Sequence, residues 1–415
     1  VANVFGIGAR NLLRYKRRTA LTVALIAVGV IFYLVFSAVS GSFKNMMIGN
    51  ITDSFLGHLQ VHRRGYLAAI ENLPLHLNMQ PNQTKKLEEA LRETEGIEAF
   101  SPRLKFGAAF SNFEETTNIR VNGVDPEKEF RTCPLLLSRI VSGKKDPGVL
   151  GRGTVLVPVL IARGMGAKVG DTVVLVATNR DGSVNGKTFV VAGILESATG
   201  PGGRDGYIHI EDARELLRIT GDEASEYAVR VARFDRIDAV RDRLEAKLSD
   251  LKTKDGQPAL MASTWRKLSP FANVAKMIDA LSFFIRILLI TVVLISILSV
   301  MIMAVYERVR EIGTIAAIGT PPRRILSLFL AEGLLLGVTG AAAGSIVGAA
   351  VIAILNAAKI PFAFGQQDNL LLAPVVDGSE MLTTAALVIV VAIIASLQPS
   401  WKASRMEPIE ALGHV

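Results

Sequence analysis

An α-helical membrane protein of four transmembrane helices, interrupted by one inserted α+β extracytoplasmic domain, is the fold this sequence predicts. Three observations lead there. Half of the 415 residues are apolar and only 20% are charged. The apolar residues gather into four runs with almost no charge, and roughly 20 helical residues suffice to cross a hydrocarbon core of about 30 Å. The basic residues sit beside those runs rather than along one stripe. Arg10, Arg14, Lys16, Arg17 and Arg18 crowd the first 18 residues without an acid, and Arg308, Arg310, Arg323 and Arg324 outnumber Glu307 and Glu311 across 306–324. This placement follows the positive-inside rule and argues against nucleic acid as the partner behind a formal charge of +8.

The elements follow in order. A cytoplasmic basic arm fills 1–18. Transmembrane helix 1 (19–43) has an apolar heart, Ala20–Val39, with no small-residue cleavage site after it, so it reads as a signal anchor. Transmembrane helix 2 (278–305) contains Ile287–Val305, a stretch without a charge. Its many Leu, Ile and Val residues together favour insertion by about 4–8 kcal/mol, against roughly 3 for Arg286, which can snorkel at the boundary. A short cytoplasmic loop, 306–324, leads to transmembrane helix 3 (325–355), longer than a bilayer needs and therefore expected to tilt or protrude. The extracytoplasmic loop 356–380 holds Lys359 against Asp368, Asp377 and Glu380. Transmembrane helix 4 (381–397) is expected to stop before Pro399, leaving a cytoplasmic tail, 398–415. Both termini are thus placed inside and 44–277 outside; long domains translocate whatever their charge.

Within 44–277, helical spacing carries the first helix through 41–58. Strands are expected at His58–Arg63, Ala99–Phe113, Thr116–Val124, Val155–Val157, Thr172–Thr178, Thr188–Leu195, Tyr207–Ile210 and Tyr227–Ala232. Helices are expected at Thr84–Thr94, N-capped by Asn82, and at Leu160–Met165, Asp212–Ile219 and Arg236–Leu248. The stretch from Val124 to Gly153 reads as irregular. Asp255–Pro258 is a turn, and Ser263–Ala280 is the helix returning to the membrane.

Few motifs promise chemistry. Asp181–Thr188 resembles a phosphate-binding loop, but Asp181 stands where the first glycine belongs and a strand, not a helix, follows; a hairpin turn is the better reading. His58, His62, His76, His209 and His414 are too scattered for a metal motif, and Cys133 is the only cysteine, which excludes an intrachain disulfide. Glu88–Glu89 and Glu114–Glu115 read as solvated surface. No nucleophile–base pair is recognisable, so an enzyme active site is not expected.

Helix 3 carries Gly333, Gly337, Gly340, Gly344 and Gly348, spaced to share one face. Such a face lets another helix approach closely, within the bundle or across a dimer. Glu332, a carboxylate about two turns inside that helix, is expensive in a bilayer unless it meets protein or water, so a structural partner or a transport role is expected. The loop Tyr306–Arg324 contains a short amphipathic helix closed by Gly-Thr-Pro-Pro, suited to docking in a groove of another protein or to lying on the membrane surface.

The residues YERVREIGTIAAIGTPPRRILSLFLAEGLLLG, from Tyr306 onward, closely resemble the loop and third span of the FtsX-like (MacB-type) ABC transporter permeases. NLLRYKRRTALT and QPSWKASRMEPIEALGHV are similar to that family's start and end. VNGVDPEKEF, ARGMGAKVGDTVVLV, FVVAGILES and YIHIEDARELL resemble its extracytoplasmic domain, nearest to the lipoprotein-releasing LolC/LolE branch. The resemblance implies an inner-membrane permease without its own ATPase, binding no cofactor itself, because ATP and magnesium belong to the partner. It implies two copies of an ABC ATPase subunit, a second permease in a homo- or heterodimer, lipoprotein or other lipidated cargo, a periplasmic carrier or adaptor as a further candidate partner, and no nucleic acid. Glu307, Arg310, Glu311, Ala317 and Gly319 would then lie on the helix that couples to the ATPase. Mechanotransmission to the periplasmic domain, with release of lipoproteins, is the function expected; MacB-type peptide or drug export and FtsX-type signalling to cell-wall hydrolases are the alternatives. The branch member that recruits the carrier has an extended hook at the hairpin corresponding to Thr172–Leu195. Here Ala177–Lys187 is short, which speaks against a hook.

Overall fold

The computed structural model describes residues 2–196, 201–253, 255–364 and 367–407. The chain forms two compact units, one of residues 1–44, 275–362 and 371–415, the other of 45–274 and 363–370. In chain order the helices are α1 (Ala2–Arg14), α2 (Lys16–Ile51), α3 (Pro81–Glu93), α4 (Pro126–Thr132), α5 (Val159–Gly164), α6 (Ile210–Leu217), α7 (Ile237–Leu248), α8 (Trp265–Leu268), α9 (Phe271–Glu307), α10 (Val309–Ala317), α11 (Pro322–Ala358) and α12 (Gly378–Ser404).

Four of these, α2, α9, α11 and α12, are long and apolar enough to cross a membrane. Their shared core holds Ile26, Val30, Leu289, Val293, Phe329 and Ala392, while Phe32, Phe284, Ile295 and Ile346 are exposed on the outside. An apolar surface around an apolar core is expected where hydrocarbon replaces water as the solvent. Two details differ from the sequence reading. The basic arm is helical: α1 ends at Arg14 and α2 begins at Lys16, with Thr19 Oγ1 donating to the Leu12 carbonyl (2.8 Å) across the junction. Pro399 does not stop the last span, because Pro399, Ser400 and Ala403 are buried against the bundle. In a membrane helix, packing against neighbouring helices makes a missing N–H tolerable.

Among the described residues, the large sheet of the other unit has ten strands: β1 (Leu59–Arg63), β2 (Ile97–Ser111), β3 (Thr116–Val124), β4 (Ile140–Gly143), β5 (Thr154–Pro158), β6 (Thr172–Thr178), β7 (Val184–Leu195), β8 (Asp205–His209), β9 (Glu226–Val231) and β10 (Leu260–Thr264). They run in the order β10-β1-β9-β2-β3-β8-β5-β7-β4, with β6 pairing both β2 and β7. Strands β2, β3, β8, β5, β7 and β6 therefore close on themselves. The ring is mixed, since β3–β8 and β5–β7 are parallel and its other pairs antiparallel. Alternation dictates the filling: Val173, Leu175 and Ala177 on β6 point inward with Phe106, Phe110, Val121, Val155 and Phe189, each buried. Every such Val, Leu or Phe contributes about 1.5–3 kcal/mol by leaving water.

Three local readings of the domain need correction. The first concerns α3, which starts at Pro81; Gln80, not Asn82, is its N-cap, with Gln83 Oε1 accepting from the Gln80 amide (3.0 Å). Proline at the first helical position fixes that start. The stretch Val124–Gly153 is not irregular throughout: Asp125 caps α4 by accepting from Glu127 N and Lys128 N, and β4 pairs with β7. The helix expected at Ser263–Ala280 is broken. Ser263 and Thr264 finish β10 beside β1, and Ser269-Pro270 separates α8 from α9.

A charged cluster lies at the centre of this unit. Arg103, 1% exposed, donates through Nε to both Glu129 oxygens (3.0 and 3.1 Å) and through Nη1 to Glu226 (3.0 Å). Lys105 and His62 also reach Glu226, at 2.9 and 3.3 Å. Burial disfavours the Glu226 charge, but Lys105, His62 and Arg103 overcome it and hold the carboxyl well below the usual range. Cys133 sits against Arg103 Nη2 (3.2 Å), and burial pushes its thiol up to about 12.

Candidate coupling site

Between the second and third spans the chain makes two bends. Helix α9 ends at Glu307, and Arg308, with a non-helical backbone, separates it from α10. At the far end Gly319 has φ +91°, a left-handed conformation natural to glycine, and Pro321-Pro322 opens α11. Helix α10 buries Val309, Ile312 and Gly313 and exposes Arg310, Glu311, Thr314, Ile315 and Ala317. Glu307 is therefore the last residue of the second span, and Gly319 follows α10; only Arg310, Glu311 and Ala317 of the expected set lie on the short helix itself. All five are exposed, as is Ile318 at 80%.

Beneath this surface α10 is pinned. Arg308 Nη1 donates to Glu332 Oε1 (2.8 Å), and Asn11 Nδ2 donates to the same oxygen (2.7 Å). Arg308 and Glu332 are 5% and 2% exposed, so the carboxylate in the third span has protein partners on α1 and at the start of α10. Tyr15 stacks under the Arg308 guanidinium, 5.2 Å from its centroid. Two outer ion pairs, Arg18–Glu307 (2.6 Å) and Arg14–Glu311 (3.4 Å), also link the basic arm to this region. Partly exposed pairs of this sort contribute about 0–1 kcal/mol. Neither Arg308 nor Asn11 was singled out from sequence. The signal was available for Arg308, the first base after the second span, because a buried Glu332 requires one.

The five glycines of α11 face two different neighbours. A Cβ on Gly333 or Gly337 would lie 2.5 Å from Ser396 or Ala392 of α12, and one on Gly340 or Gly344 would lie 2.6 Å from Ile26 or Val30 of α2. Gly348 is looser, with Leu34 Cδ1 at 3.3 Å. At the other end of the bundle Arg286 does not stand alone at a boundary. It donates to Tyr33 Oη (2.7 Å) and to Glu380 Oε1 (2.7 Å), joining α9, α2 and α12.

Two family matches cover most of the chain: residues 19–247 match the MacB-like periplasmic core domain, and residues 283–408 match the FtsX-like permease C-terminal domain. The chain belongs to the FtsX-like, MacB-type permeases. It is an ABC transporter permease of multi-pass architecture, with the periplasmic core domain inserted between its first and second spans. The permease is 25% identical to the lipoprotein-releasing system transmembrane protein LolC of Neisseria meningitidis serogroup B, over 98% of each chain. It is 24% identical to the macrolide export ATP-binding/permease protein MacB of Nitrobacter winogradskyi, over 95% of the permease but 58% of that longer protein. The extracellular domain of the transporter YknZ from Gram-positive bacteria aligns with half of the permease at 14% identity and a TM-score of 0.35.

Proposed function

We propose that this permease transmits the work of a separate ATPase through α10 to its inserted domain, and that its cargo is lipoprotein released from the inner membrane. The observation that carries the coupling reading is the exposed face of α10 over the buried Arg308–Glu332 pin. A force applied to Arg310, Glu311 or Ala317 passes into α11 through a charge pair that cannot slip without leaving a bare ion in an apolar core. Two ATPase copies would hold ATP and magnesium, a second permease would complete the dimer, and this chain would bind no cofactor and catalyse no reaction. On this reading 306–324 and both termini are cytoplasmic and the inserted domain is periplasmic. The lipoprotein cargo rests on the end-to-end match with LolC.

A second reading, export of a peptide or drug, is favoured by the match to MacB over 95% of this chain. The short turn joining β6 and β7, where Asn179 N and Ser183 O pair at 2.8 Å, leaves no extension on that hairpin to recruit a carrier. The test of coupling is co-purification with an ATPase encoded beside the permease. Glu311→Lys and Gly319→Val each abolish the complex and the stimulated ATP turnover while leaving the permease folded; complex formation at the native level in both variants would refute the coupling role. Loss of lipoprotein release with export intact, in cells depleted of the permease, separates the two cargo readings.

A further inference from the structure

The domain unit contains a cavity of about 340 Å³ whose lining residues all fall within 45–274. Its lining divides by element. Helical segments supply apolar surface: Met47 and Ile51 from the end of α2, Phe55 and Leu56 from the following turn, and Phe271 from the start of α9. Strands supply polar surface. Lys105, Asn122 and Tyr207 lie in one row across β2, β3 and β8, with Arg120 and Asp205 in the neighbouring row. Residues two apart along a strand share a face, so these side chains stand on the side opposite Leu104, Phe106, Val121 and Ile208, which fill the ring.

The polar floor is rich in donors. Four bases, Arg103, Lys105, Arg120 and Arg139, line the cavity with two acids, Glu71 and Asp205, the second paired with Arg120 (3.1 Å); Glu129, Glu226 and Glu196, which hold the other three bases, are not in the lining. Tyr207 is 3% exposed, yet among the described residues no group hydrogen-bonds its phenol. Burial keeps that phenol well above its ordinary value, so it meets a guest as a proton donor. As a residue of the cavity lining, Tyr207 offers this hydroxyl to water or to a guest. The volume lies at the small end of ligand pockets, about 300–1,000 Å³, which suits one alkyl chain with its head and excludes a folded protein.

We propose that this cavity is a binding site for a single-chain amphiphile with an oxyanion head, the head accepting hydrogen bonds from Tyr207 and the neighbouring Lys105 and Arg120, the tail lying against Met47, Ile51, Phe55 and Phe271. The assignment does not rest on the coupling or cargo readings above; it concerns a lipid-like ligand of the domain itself. A free fatty acid and a lysophospholipid share this chemistry.

The test uses the full chain in nanodiscs of zwitterionic lipid, labelled with a photoreactive twelve-carbon fatty acid and mapped by peptide mass spectrometry. Labelling is expected within 47–56 or at Phe271. Dodecanoate, dodecyl phosphate or both displace it at concentrations at least tenfold below dodecyltrimethylammonium, and inorganic phosphate does not. A preference for the carboxylate points to a fatty acid and a preference for the phosphate to a lysophospholipid. Tyr207→Phe, which removes one oxygen that has no partner, raises the displacing concentration about tenfold without lowering the unfolding temperature. Ile51→Trp, which fills the cavity, abolishes labelling there. Equal displacement by the cationic amphiphile, labelling confined to the membrane spans, or an unaltered Tyr207→Phe variant overturns the proposal.

Discussion

At the scale of single residues, the two buried ion clusters make different demands. Glu332 and Arg308 are held in a bundle core, and removing one partner of a buried pair costs about 3–5 kcal/mol because the other charge is stranded. Glu332→Gln alone and Arg308→Met alone should each lower the unfolding temperature of the permease in nanodiscs, and the double variant should recover most of the loss. Equal losses in the single and double variants would count against the pairing. Glu226 makes the prediction a titration. Its folded carboxyl lies well below the unfolded value, so its contribution is complete above about pH 4.3 and is lost as pH falls through the folded value. Acid titration followed by Trp265 fluorescence in a Trp401→Phe background should show the domain weakening below that pH. Glu226→Gln should start less stable and lose less on acidification. A parallel response in both proteins would show that other carboxylates set the acid limit.

Elements were legible in proportion to how local their causes are. The four spans follow from composition, and α10 from its charges and its Gly-Thr-Pro-Pro stop. The helical spacing through 41–58 agrees with α2, which runs to Ile51 and into the helical turn to Leu56; the break at Ser269-Pro270 before α9 was not read, because the flanking residues sustain a helix on both sides. Asp125-Pro126 was a readable helix start that strand-like neighbours masked. The ring of six strands was not readable at all, since β3 meets β8 and β6 meets β2 over long sequence separations. Nor was the Arg103 cluster, whose acids lie 26 and 123 residues away. The glycine face of α11 was readable, but not that it divides between α12 and α2. That division grades the outcome of substitution. Gly337→Ala, facing Ala392 Cβ at 2.5 Å, should cost about 1–3 kcal/mol by overpacking and lower the unfolding temperature. Gly348→Ala, facing the flexible tip of Leu34 at 3.3 Å, should cost clearly less. Similar losses at both positions would mean that backbone freedom, not contact, governs this helix.

For the whole molecule, sidedness is the property on which the proposed transmission depends. Lys144 and Lys145 are exposed in the domain, and Arg323 and Arg324 are exposed beside α10. Trypsin added to spheroplasts should cut at the first pair and spare the second, and inverted vesicles should reverse the pattern. Cleavage of both pairs from one side would place α10 and the inserted domain in the same compartment, and the proposed transmission across the bilayer would fail.

The single thiol has a practical consequence. Cys133 is fully buried and its proton is held to about pH 12, so maleimides at neutral pH find almost no thiolate there. The native chain is in effect already cysteine-free to such reagents. Spin labels or fluorophores can be attached in pairs to engineered surface cysteines, and the distance between them measured, without first disturbing the packing around Arg103.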